Sequence, residues 1–400
     1  MKNFIKTQYK NIDYYKLSSD SNLEKQLEKI PTDVKFCKKC VVSNQRPRIV
    51  FDKEGVCSAC RYFEYKEKID FKEREEELKK LLDKHRSKNG TYDCVVPSSG
   101  GKDSAYVAHE LKYKYGMHPL TVTWSPLKYT DIGWQNLSNF NDSGFDVILG
   151  MPQGDVKKKL TRVAMIEMGD PFQAFIYGQV LFPVTIALKF GIKLIFRGEN
   201  AEAEYGGSPE SWNKKYLPME EFKKVWFSNY TLDFWLDKGF TKEELSFFYP
   251  PMSKEFENKV CDSYFYGYFR NWSNHSNFYY ASKHTGFKPN ERRTEGTYTK
   301  YSSIDDKLDT FHQWFALLKF GHGRCTANAA REIREGYITR EEGVALVHKY
   351  DTEFPKLYFK EFLEYTKLKE DEFWDIAERW RNHNLWTKKG NEWVKKYPVK

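Results

Sequence analysis

The segment VVPSSGGKDSAYVA, residues 95–108, has the residue types needed to hold an anion. An apolar run stops at a proline, two serines and two glycines follow, and a helix-like pattern begins straight after them. Backbone N–H groups at a glycine-rich turn and at a helix N-terminus point outward and attract anions such as phosphate. The segment therefore predicts a phosphate cradle, and the alternative is a plain strand-to-helix turn.

Two known types of phosphate loop do not fit this turn. The P-loop of kinases and GTPases requires G-x-x-x-x-G-K-[ST], but the chain has Val96 where the first Gly is needed and Asp103 where Ser or Thr is needed. The dinucleotide fingerprint G-x-G-x-x-G also fails. The residues that stand in the turn are Ser99, Gly100, Gly101, Lys102, Asp103 and Ser104.

The pattern S-G-G-x-D-S in this turn resembles the PP-loop ATP pyrophosphatases, which cleave ATP to AMP and pyrophosphate and so activate an acceptor oxygen. The glycines let the backbone close on a pyrophosphate, and the hydroxyls of Ser99 and Ser104 add donors. Asp103 is suited to hold the Mg²⁺ that neutralises the pyrophosphate. The resemblance implies ATP and Mg²⁺ as cofactors, with Lys102 and Asp103 in catalysis.

The same resemblance assigns residues at the ends of two other strands. In that family the end of the second strand meets adenine, which points to Val122 and Trp124. The loop after the fourth strand reaches the phosphates, which points to Gly198 and to Glu199, the latter as a further catalytic residue.

Four of the seven cysteines form two short pairs, CKKC at 37–40 and CSAC at 57–60. The spacing C-x2-C-x16-C-x2-C is typical of a closed tetrahedral site of structural Zn²⁺ with the ligands Cys37, Cys40, Cys57 and Cys60. An iron–sulfur cluster and four unligated, redox-active thiols are the alternatives. The other cysteines, at 94, 261 and 325, are expected to be core thiols.

Alternating strands and helices follow from residue 92 and position the phosphate turn. The strands are predicted at YDCVVP, PLTVTW, FDVILG and IKLIFRG, with helices at DSAYVAHELKYKYG, DIGWQNLSNFNDSG and DPFQAFIYGQVLFPVTIALKFG. This rhythm predicts an α/β fold with a parallel, doubly wound sheet, HUP-like and of the PP-loop type. Ligands of such sheets bind beyond the carboxyl ends of the strands.

The remaining organisation is predicted as five regions. They are an N-terminal segment with the four-cysteine module (1–68), a linker helix (69–91), the PP-loop core (92–200), an aromatic-rich insertion that shapes the substrate region (201–301) and a helical C-terminal region (302–400). In the last region TREE, residues 339–342, matches a helix capping box.

Charge and targeting signals limit the functional class. The net charge is +9, and residues 1–90 carry 22 basic and 15 acidic residues, so most of the excess lies there. This surplus suits a docking face or an anionic ligand but is well short of a strongly basic nucleic-acid binder. No apolar run is long enough to span a membrane and the start lacks the apolar core of a signal peptide, so a cytoplasmic protein without membrane contact is expected.

Longer motifs around the turn resemble a more specific family, the bacterial N-acetyl sugar amidotransferases of surface-polysaccharide and flagellar sugars. The resemblance runs from about residue 35 to about residue 355. It rests on the cysteine pairs, RGENAEAEYGG (197–207), HTGFKPNERRTEGTYTKYSSIDDKLD (284–309) and LKFGHGRCTANAAREIREGYITREEGVALVHKYD (318–351).

That family implies conversion of an acetamido group, on a nucleotide-linked sugar or nonulosonic acid, to an acetamidino group. ATP would adenylate the amide oxygen, ammonia would attack the resulting carbon, and AMP would leave. The family also implies a separate glutaminase subunit and a cyclase-like ammonia-channelling subunit, which resemble the two halves of the histidine-pathway synthase. No Cys follows Met1 and no cysteine lies in a G-x-C-x-G turn, so glutamine is expected to need that partner.

Substrate contacts are expected from residues within the family motifs. These residues are Asn200, Asp305, Asp306, Lys319 and Arg324. The two aspartates have an equally weighted alternative, which is to cap a helix N-terminus. Arg324 and Lys319 suit a sugar carboxylate or phosphate, or pair with local acids. His284 and His322 lie nearest the motifs, but neither is assigned as a base.

Two other functional classes compete with the amidotransferase. A tRNA-thiolation enzyme also combines a cysteine module with a PP-loop, but it usually needs reactive cysteines beside ATP, and no tRNA-binding module is apparent. A non-catalytic scaffold whose zinc module binds a partner is disfavoured by the intact phosphate motif. Binding of nucleic acid is therefore not expected.

Overall fold

The computed structural model describes residues 30–216, 231–248 and 261–400. The predicted N-terminal segment up to residue 29, and residues 217–230 and 249–260 of the predicted insertion, lie outside the described residues. Across the described ranges, no helix combines the length and the apolar character needed to cross a bilayer.

Five parallel strands form the central sheet in the order β3-β2-β1-β4-β5. They are β1 (Cys94–Pro97), β2 (Pro119–Trp124), β3 (Val147–Gly150), β4 (Leu194–Arg197) and β5 (Asp262–Phe265). The α/β class with a parallel sheet is thereby confirmed, and β1 to β4 are the four strands that the sequence predicts. The fifth strand lies in the aromatic segment that is predicted as an insertion. It has no clear strand pattern in the sequence, because it begins at the exposed Asp262 and runs directly into a helix at Tyr266.

Helices connect and cover the strands. In the first part of the chain they are α1 (Ser58–Lys66), α2 (Phe71–His85), α3 (Lys102–His109), α4 (Asp131–Asp142), α5 (Gly154–Met168), α6 (Gln173–Lys189) and α7 (Ala201–Tyr205). In the second part they are α8 (Leu232–Asp237), α9 (Lys242–Leu245), α10 (Tyr266–Phe269), α11 (Asn274–His284), α12 (Asp309–Phe320), α13 (Arg324–Arg334), α14 (Arg340–Tyr350), α15 (Phe359–Thr366) and α16 (Glu370–Trp380). A π-helical turn at Glu110–Lys114 continues α3. An antiparallel hairpin of β6 (Trp386–Lys389) and β7 (Glu392–Lys395) follows the helices.

Helices cover both faces of the sheet. Successive side chains of a strand point to opposite faces, so neighbouring strand residues are buried in different layers. Val95 and Ile195 pack against α5, α6 and the C-terminal helices α12, α15 and α16. Val96 and Phe196 pack on the other face against α2, α3 and α11. This arrangement is the doubly wound layering expected from the sequence, with the C-terminal helical region completing one layer.

Two helices that lie outside the predicted core region of residues 92–200 follow their sequence patterns closely. Asp70 caps α2 by accepting the amides of Lys72 and Glu73, and the fully buried Leu78 and Leu82 attach the predicted linker helix to the sheet layer. Thr339 and Glu342 form the predicted capping box at the start of α14. The box satisfies backbone donors that the first turn of a helix leaves unpaired.

The four-cysteine module packs on the C-terminal helices and not on the strands. Its cysteines share an apolar cluster with residues of α13 and α14, including Cys325, Ala329 and Val347. Ion pairs from Arg48 to Glu202 and from Lys66 to Glu204 join the module to α7. The module therefore lies across the chain segments that follow β4.

A close contact between α6 and β2 fixes the indole ring of Trp124. A Cβ atom at Gly178 would lie 1.9 Å from Cε2 of Trp124, far inside van der Waals contact. The ring also packs on Phe182, with centroids 5.5 Å apart. The glycine is needed because no side chain fits between the helix and the ring.

Gly178→Ala is expected to lower the free energy of unfolding by roughly 1–3 kcal/mol, because the added methyl overlaps the ring of Trp124. Gly154→Ala is the matched control, since nothing lies within 4 Å of a Cβ at that helical position. Urea denaturation of both variants measures the difference, and equal stability of the two contradicts the contact.

Candidate functional site

A cavity of about 800 Å³ lies over the carboxyl ends of the strands. The residues after β1 and after β4 both line it, so it stands where the strand order reverses. This is the position at which open α/β sheets bind ligands. Helices α12 and α13 and the cysteine module contribute the remaining walls.

The turn at residues 99–104, which the sequence predicts to bind phosphate and which is called the phosphate turn below, forms the floor of this cavity. Ser99, Gly101, Lys102, Asp103 and Ser104 all line it. Helix α3 begins at Lys102 and has no side-chain cap, so its first amides lack a partner from the usual capping interaction. These amides are the donors that a helix N-terminus offers to an anion.

Gly100 sets the shape of the turn, although it does not itself line the cavity. Its φ is +76°, and a Cβ there would lie 2.7 Å from Cα of Leu137 in α4. Ser98 supports the turn from below, since its hydroxyl donates to Ser104 at 3.0 Å and accepts the amide of Gly100 at 3.3 Å. A residue with a side chain at position 100 would push the turn away from α4.

Lys102 and Asp103 are held by α11. The ammonium of Lys102 pairs with Asp103 and donates to Oδ1 of Asn274 at 3.0 Å. Asn277 donates to Oδ1 of Asp103 at 2.9 Å. Burial lowers the pKa of Lys102, and the neighbouring charge of Asp103 opposes this shift.

Glu199 faces the same turn from the end of β4. Burial and the nearby charge of Asp103 raise the pKa of Glu199 above its usual range. The hydroxyl of Tyr205 donates to Glu199, and Gly198 lines the cavity beside it. The structure therefore brings together two carboxylates, one from the first turn of α3 and one from the loop after β4.

The other end of the cavity is lined by Val122 and Trp124 at the end of β2 and by Gln179 of α6. Trp124 is 5% exposed, and its Nε1 is enclosed without a hydrogen-bond partner among the described residues. Val122 and Trp124 thus give the cavity an apolar surface at the strand end that the resemblance assigns to adenine.

Asp305 and Asp306 do not act alike. The carboxylate of Asp306 accepts the backbone amides of Leu127 and Leu308, and burial raises its pKa to about 8. It thus anchors the 304–308 segment to the loop after β2, and it does not cap α12, which begins at Asp309. Asp305 lines the cavity, where burial raises its pKa and a hydrogen bond from Ser99 opposes that shift.

Helix α13 lines the opposite side with arginines. Arg324, Arg331 and Arg334 lie on the helix face that borders the cavity, at spacings of seven and three residues. Arg331 donates to Oδ1 of Asn328 at 3.0 Å and lies over the ring of Tyr205. Nε of Arg324 and Nη1 of Arg334 are enclosed without a partner in the described part of the chain.

Arg46 of the cysteine module extends this basic wall. Its guanidinium donates to the carbonyl of Pro47 at 3.3 Å. Burial and the charge of Arg48 lower the pKa of Arg46 to about 10. His322 lies in the same positive field, where burial and the charge of Arg46 lower its pKa to about 3. The clustered positive charge provides a site for an anionic group.

Two of the predicted substrate residues are not part of the cavity lining. Asn200 caps α7 by accepting the amide of Ala203 and donates to the carbonyl of Ser211. Lys319 is buried, donates to the carbonyl of Met168 at 3.1 Å and lies over the ring of Trp380. Burial lowers the pKa of Lys319 to about 8. Both side chains therefore bind backbone groups behind the cavity lining.

Sequence reasoning missed several cavity residues. Arg46, Arg331, Arg334 and His312 were not among the predicted site residues, although Arg331 and Arg334 lie within the quoted motif at 318–351. The seven-residue spacing from Arg324 to Arg331 was a usable signal, because it places both on one helix face. Arg46 and His312 had no such signal, since their neighbours in space are distant in the chain.

The four predicted metal ligands are brought together as a closed cluster. The Sγ atoms of Cys37, Cys40, Cys57 and Cys60 all lie within 4.8 Å of one another, and all four residues are buried. Two of the S···S distances are 3.7 and 3.8 Å. A tetrahedral zinc with Zn–S bonds of about 2.3 Å has S···S edges of about 3.8 Å, so the cluster fits structural Zn²⁺.

Comparison with known proteins covers parts of the chain. Residues 295–398 match the domain family described as "LPS biosynthesis protein WbpG-like, C-terminal domain". An uncharacterized protein of Methanocaldococcus jannaschii is 29% identical over 87 residues, which is 22% of this chain. The alignment spans 31% of that protein's length. The domain match supports an enzyme with a role in sugar or LPS biosynthesis.

Cys37→Ser and Cys60→Ser are each expected to lose the bound metal and to destabilise the protein, because a closed four-thiolate site does not tolerate a lost ligand. Metal analysis of purified wild-type protein should give one Zn²⁺ per chain. Cys261→Ala is the control, since that thiol lies away from the cluster and donates to the carbonyl of Ile192. Full zinc content in the two serine variants contradicts the assignment.

Proposed function

We propose that this protein is an ATP-dependent amidotransferase that converts an acetamido group of a bacterial sugar to an acetamidino group and releases AMP and pyrophosphate. The observation that carries the proposal is that one cavity is lined both by the S-G-G-x-D-S turn and by the arginines of α13. Helix α13 lies within residues 295–398, which match the LPS biosynthesis domain family. One end suits a nucleotide, and the other suits an anionic sugar.

The floor of the cavity supports the ATP half of the proposal. The amides at the start of α3 would donate hydrogen bonds to a pyrophosphate, and Ser99 and Ser104 line the cavity beside them. The side chains of Val122 and Trp124 would give the adenine an apolar surface. An amide carbonyl is a poor electrophile, and adenylation of its oxygen supplies the missing leaving group.

Mg²⁺ fits the donor set at the phosphate turn. Asp103 and Glu199 come from different strand ends, and the charge of the first raises the pKa of the second. A divalent cation between two such carboxylates relieves their repulsion and neutralises a bound pyrophosphate. Asp103 and Glu199 would hold this ion, and Lys102 would add a positive charge beside it.

The arginine wall supports an anionic sugar substrate. Arg46, Arg324 and Arg334 line the cavity. Nε of Arg324 and Nη1 of Arg334 have no partner among the described residues, and an enclosed unpaired donor costs about 1–3 kcal/mol. A sugar carboxylate, or the diphosphate of a nucleotide-linked sugar, would satisfy these donors with charge-assisted hydrogen bonds. Both sugar classes named by the sequence resemblance carry such a group.

Ammonia in this proposal comes from a separate glutaminase with its ammonia-channelling subunit. All seven cysteines are buried, and no cysteine of the described ranges lines the cavity. A thiolation enzyme with reactive cysteines beside ATP is therefore not favoured. The same burial leaves the chain without a thiol placed to release ammonia from glutamine.

The reaction is tested with purified protein, ATP, Mg²⁺, an ammonium salt and a panel of acetamido sugars. Nucleotide-linked sugars and nonulosonic acids are expected to give AMP and a product in which NH replaces one oxygen, detected by mass spectrometry. Asp103→Asn is expected to lower this rate at least ~100-fold, because the charge that holds the metal at the pyrophosphate is lost. Glutamine in place of ammonium is expected to give no product without the partner subunits.

Asp131→Asn is the matched control, since this acid is exposed at the start of α4 and lies outside the cavity lining. It should retain the wild-type rate. Formation of ADP in place of AMP, or glutamine-dependent turnover by the chain alone, contradicts the proposal.

Arg46→Gln is expected to raise the KM for the sugar about tenfold or more, because it removes one charge-assisted hydrogen bond to the anionic group. The KM for ATP should stay unchanged, since Arg46 comes from the cysteine module, whereas the residues proposed to hold ATP come from the ends of the strands and from α3. Lys53→Gln, an exposed change in the same module, is the control. A parallel loss in both variants, or no change in the sugar KM, argues against the arginine wall as the sugar site.

A further inference from the structure

A histidine–carboxylate pair stands at one wall of the cavity and is not used in the function proposed so far. His312, in the first turn of α12, places Nδ1 2.7 Å from Oδ1 of Asp170. His312 lines the cavity, whereas Asp170 lies behind it in the loop between α5 and α6. The imidazole ring therefore stands between the carboxylate and the cavity.

Backbone contacts hold the carboxylate in place. Oδ1 of Asp170 also accepts the amide of Phe172 at 2.9 Å. The preceding Gly169 is left-handed, with φ +58°, and a Cβ there would lie 2.6 Å from the ring of Trp380. The loop is thus fixed on both sides of Asp170, and the ring of His312 is oriented by a rigid acceptor.

This orientation sets the protonation of the ring. The nitrogen that faces a carboxylate carries the proton of a neutral imidazole, so Nδ1 donates and Nε2 keeps its lone pair. Within the described residues Nε2 of His312 has no hydrogen-bond partner, and it is not among the enclosed unpartnered atoms. It is the ring atom that is open to a ligand.

The charges around His312 come from its own helix and from the facing loop. Burial lowers the pKa of His312, but the charge and hydrogen bond of Asp170, together with the charge of Asp309, raise it above its ordinary value. Lys319 opposes this rise. Burial also raises the pKa of Asp170, but the charges of His312 and Lys319 outweigh burial and hold it at about 2.

The other histidines of the cavity lack this arrangement. Nδ1 of His275 and Nδ1 of His322 are each enclosed without a partner among the described residues. His322 also lies in the field of Arg46, where its pKa falls to about 3. A ring in that position does not accept a proton near neutral pH, whereas the ring of His312 does.

The proposed amidotransfer, on which this inference rests, needs one proton to leave. Ammonia adds its lone pair to the carbon of the O-adenylated, N-protonated amide, which becomes tetrahedral and carries an –NH₃⁺ group. This nitrogen has no lone pair, and expulsion of AMP by the sugar-bound nitrogen alone would leave an –NH₃⁺ group on an iminium carbon, so a proton must leave before AMP does. Once one N–H proton is removed, the freed pair forms the C=N bond, the C–O bond breaks, and AMP leaves from an amidinium product.

We propose that His312 is the general base that takes this proton on Nε2 and passes it to solvent, with Asp170 as its positioning residue. A connected wall joins it to the phosphate turn. Asp309, one turn before His312, lines the same cavity as Asp305 and as Ser99 of the turn. A sugar bound between the turn and α12 would present its acetamido carbon to this ring.

The test separates the two halves of the reaction in His312→Asn. Sugar-dependent exchange of labelled pyrophosphate into ATP reports the adenylation step, which precedes proton removal, and it should stay near the wild-type rate. Amidine formation should fall ~100-fold or more. Its pH profile, measured at constant free ammonia, should lose the acidic limb that the wild type shows as His312 becomes protonated.

Asp170→Asn keeps the imidazole and therefore carries the test even where His312→Asn fails to fold. Loss of the carboxylate lowers the pKa of His312, so the acidic limb should move to lower pH. Histidine NMR titration should show the same downward shift without any substrate. His284→Asn, outside the cavity, should leave both readouts at their wild-type values.

Two results overturn the assignment of the base. One is an unchanged acidic limb in the variants. The other is an exchange rate that falls in parallel with amidine formation, which indicates a structural role. A wild-type protein that shows neither exchange nor amidine formation instead contradicts the proposed function itself, so the two failures are distinguishable.

Discussion

Strands β2 and β4 flank β1 on its two sides, and the sheet extends outward from each of them. The chain segments that leave the carboxyl ends of these strands therefore diverge, and a cleft remains between them. The amides of α3 open into this cleft, and Gly100 allows the turn before them to lie against α4. An anion-binding floor with diverging sides follows from this one feature of the topology. The rest of the structure supplies walls for it.

The walls come from parts of the chain that have no role in the sheet. The cysteine module packs on α13 and α14, and this contact carries Arg46 to the cavity beside the arginines of α13. A zinc ion held by the four thiolates would therefore not touch the cavity itself. It would fix the cysteine module, and with it the position of Arg46 in the cavity wall. In the proposed reaction, Asp103 and Glu199 on the floor would hold the metal and the pyrophosphate, and the arginines of the walls would hold the anionic substrate.

The sequence predicted those elements and sites that depend on residues close together in the chain. The turn at 99–104, the four cysteines, the strands β1 to β4 and the capping box at Thr339 belong to this group. Strand β5 was missed because it begins at the exposed Asp262 and its aromatic residues continue directly into α10, and α5 (Gly154–Met168) was left unassigned. The pairing of His312 with Asp170 joins residues 142 positions apart, so only the packing of α12 on the α5–α6 loop brings it about. Lys319 and Asn200 had suitable residue types, but burial and backbone hydrogen bonds use their polar groups elsewhere.

The central claim is that the oxygen of the sugar's acetamido group becomes an oxygen of AMP. The most direct measurement uses a substrate whose acetamido oxygen carries a heavy isotope, with ATP, Mg²⁺ and ammonium, followed by mass spectrometry of the released nucleotide. The account predicts AMP that contains the heavy oxygen, in an amount equal to the amidine formed. Unlabelled AMP, or a label that appears in inorganic phosphate, would contradict adenylation of the amide.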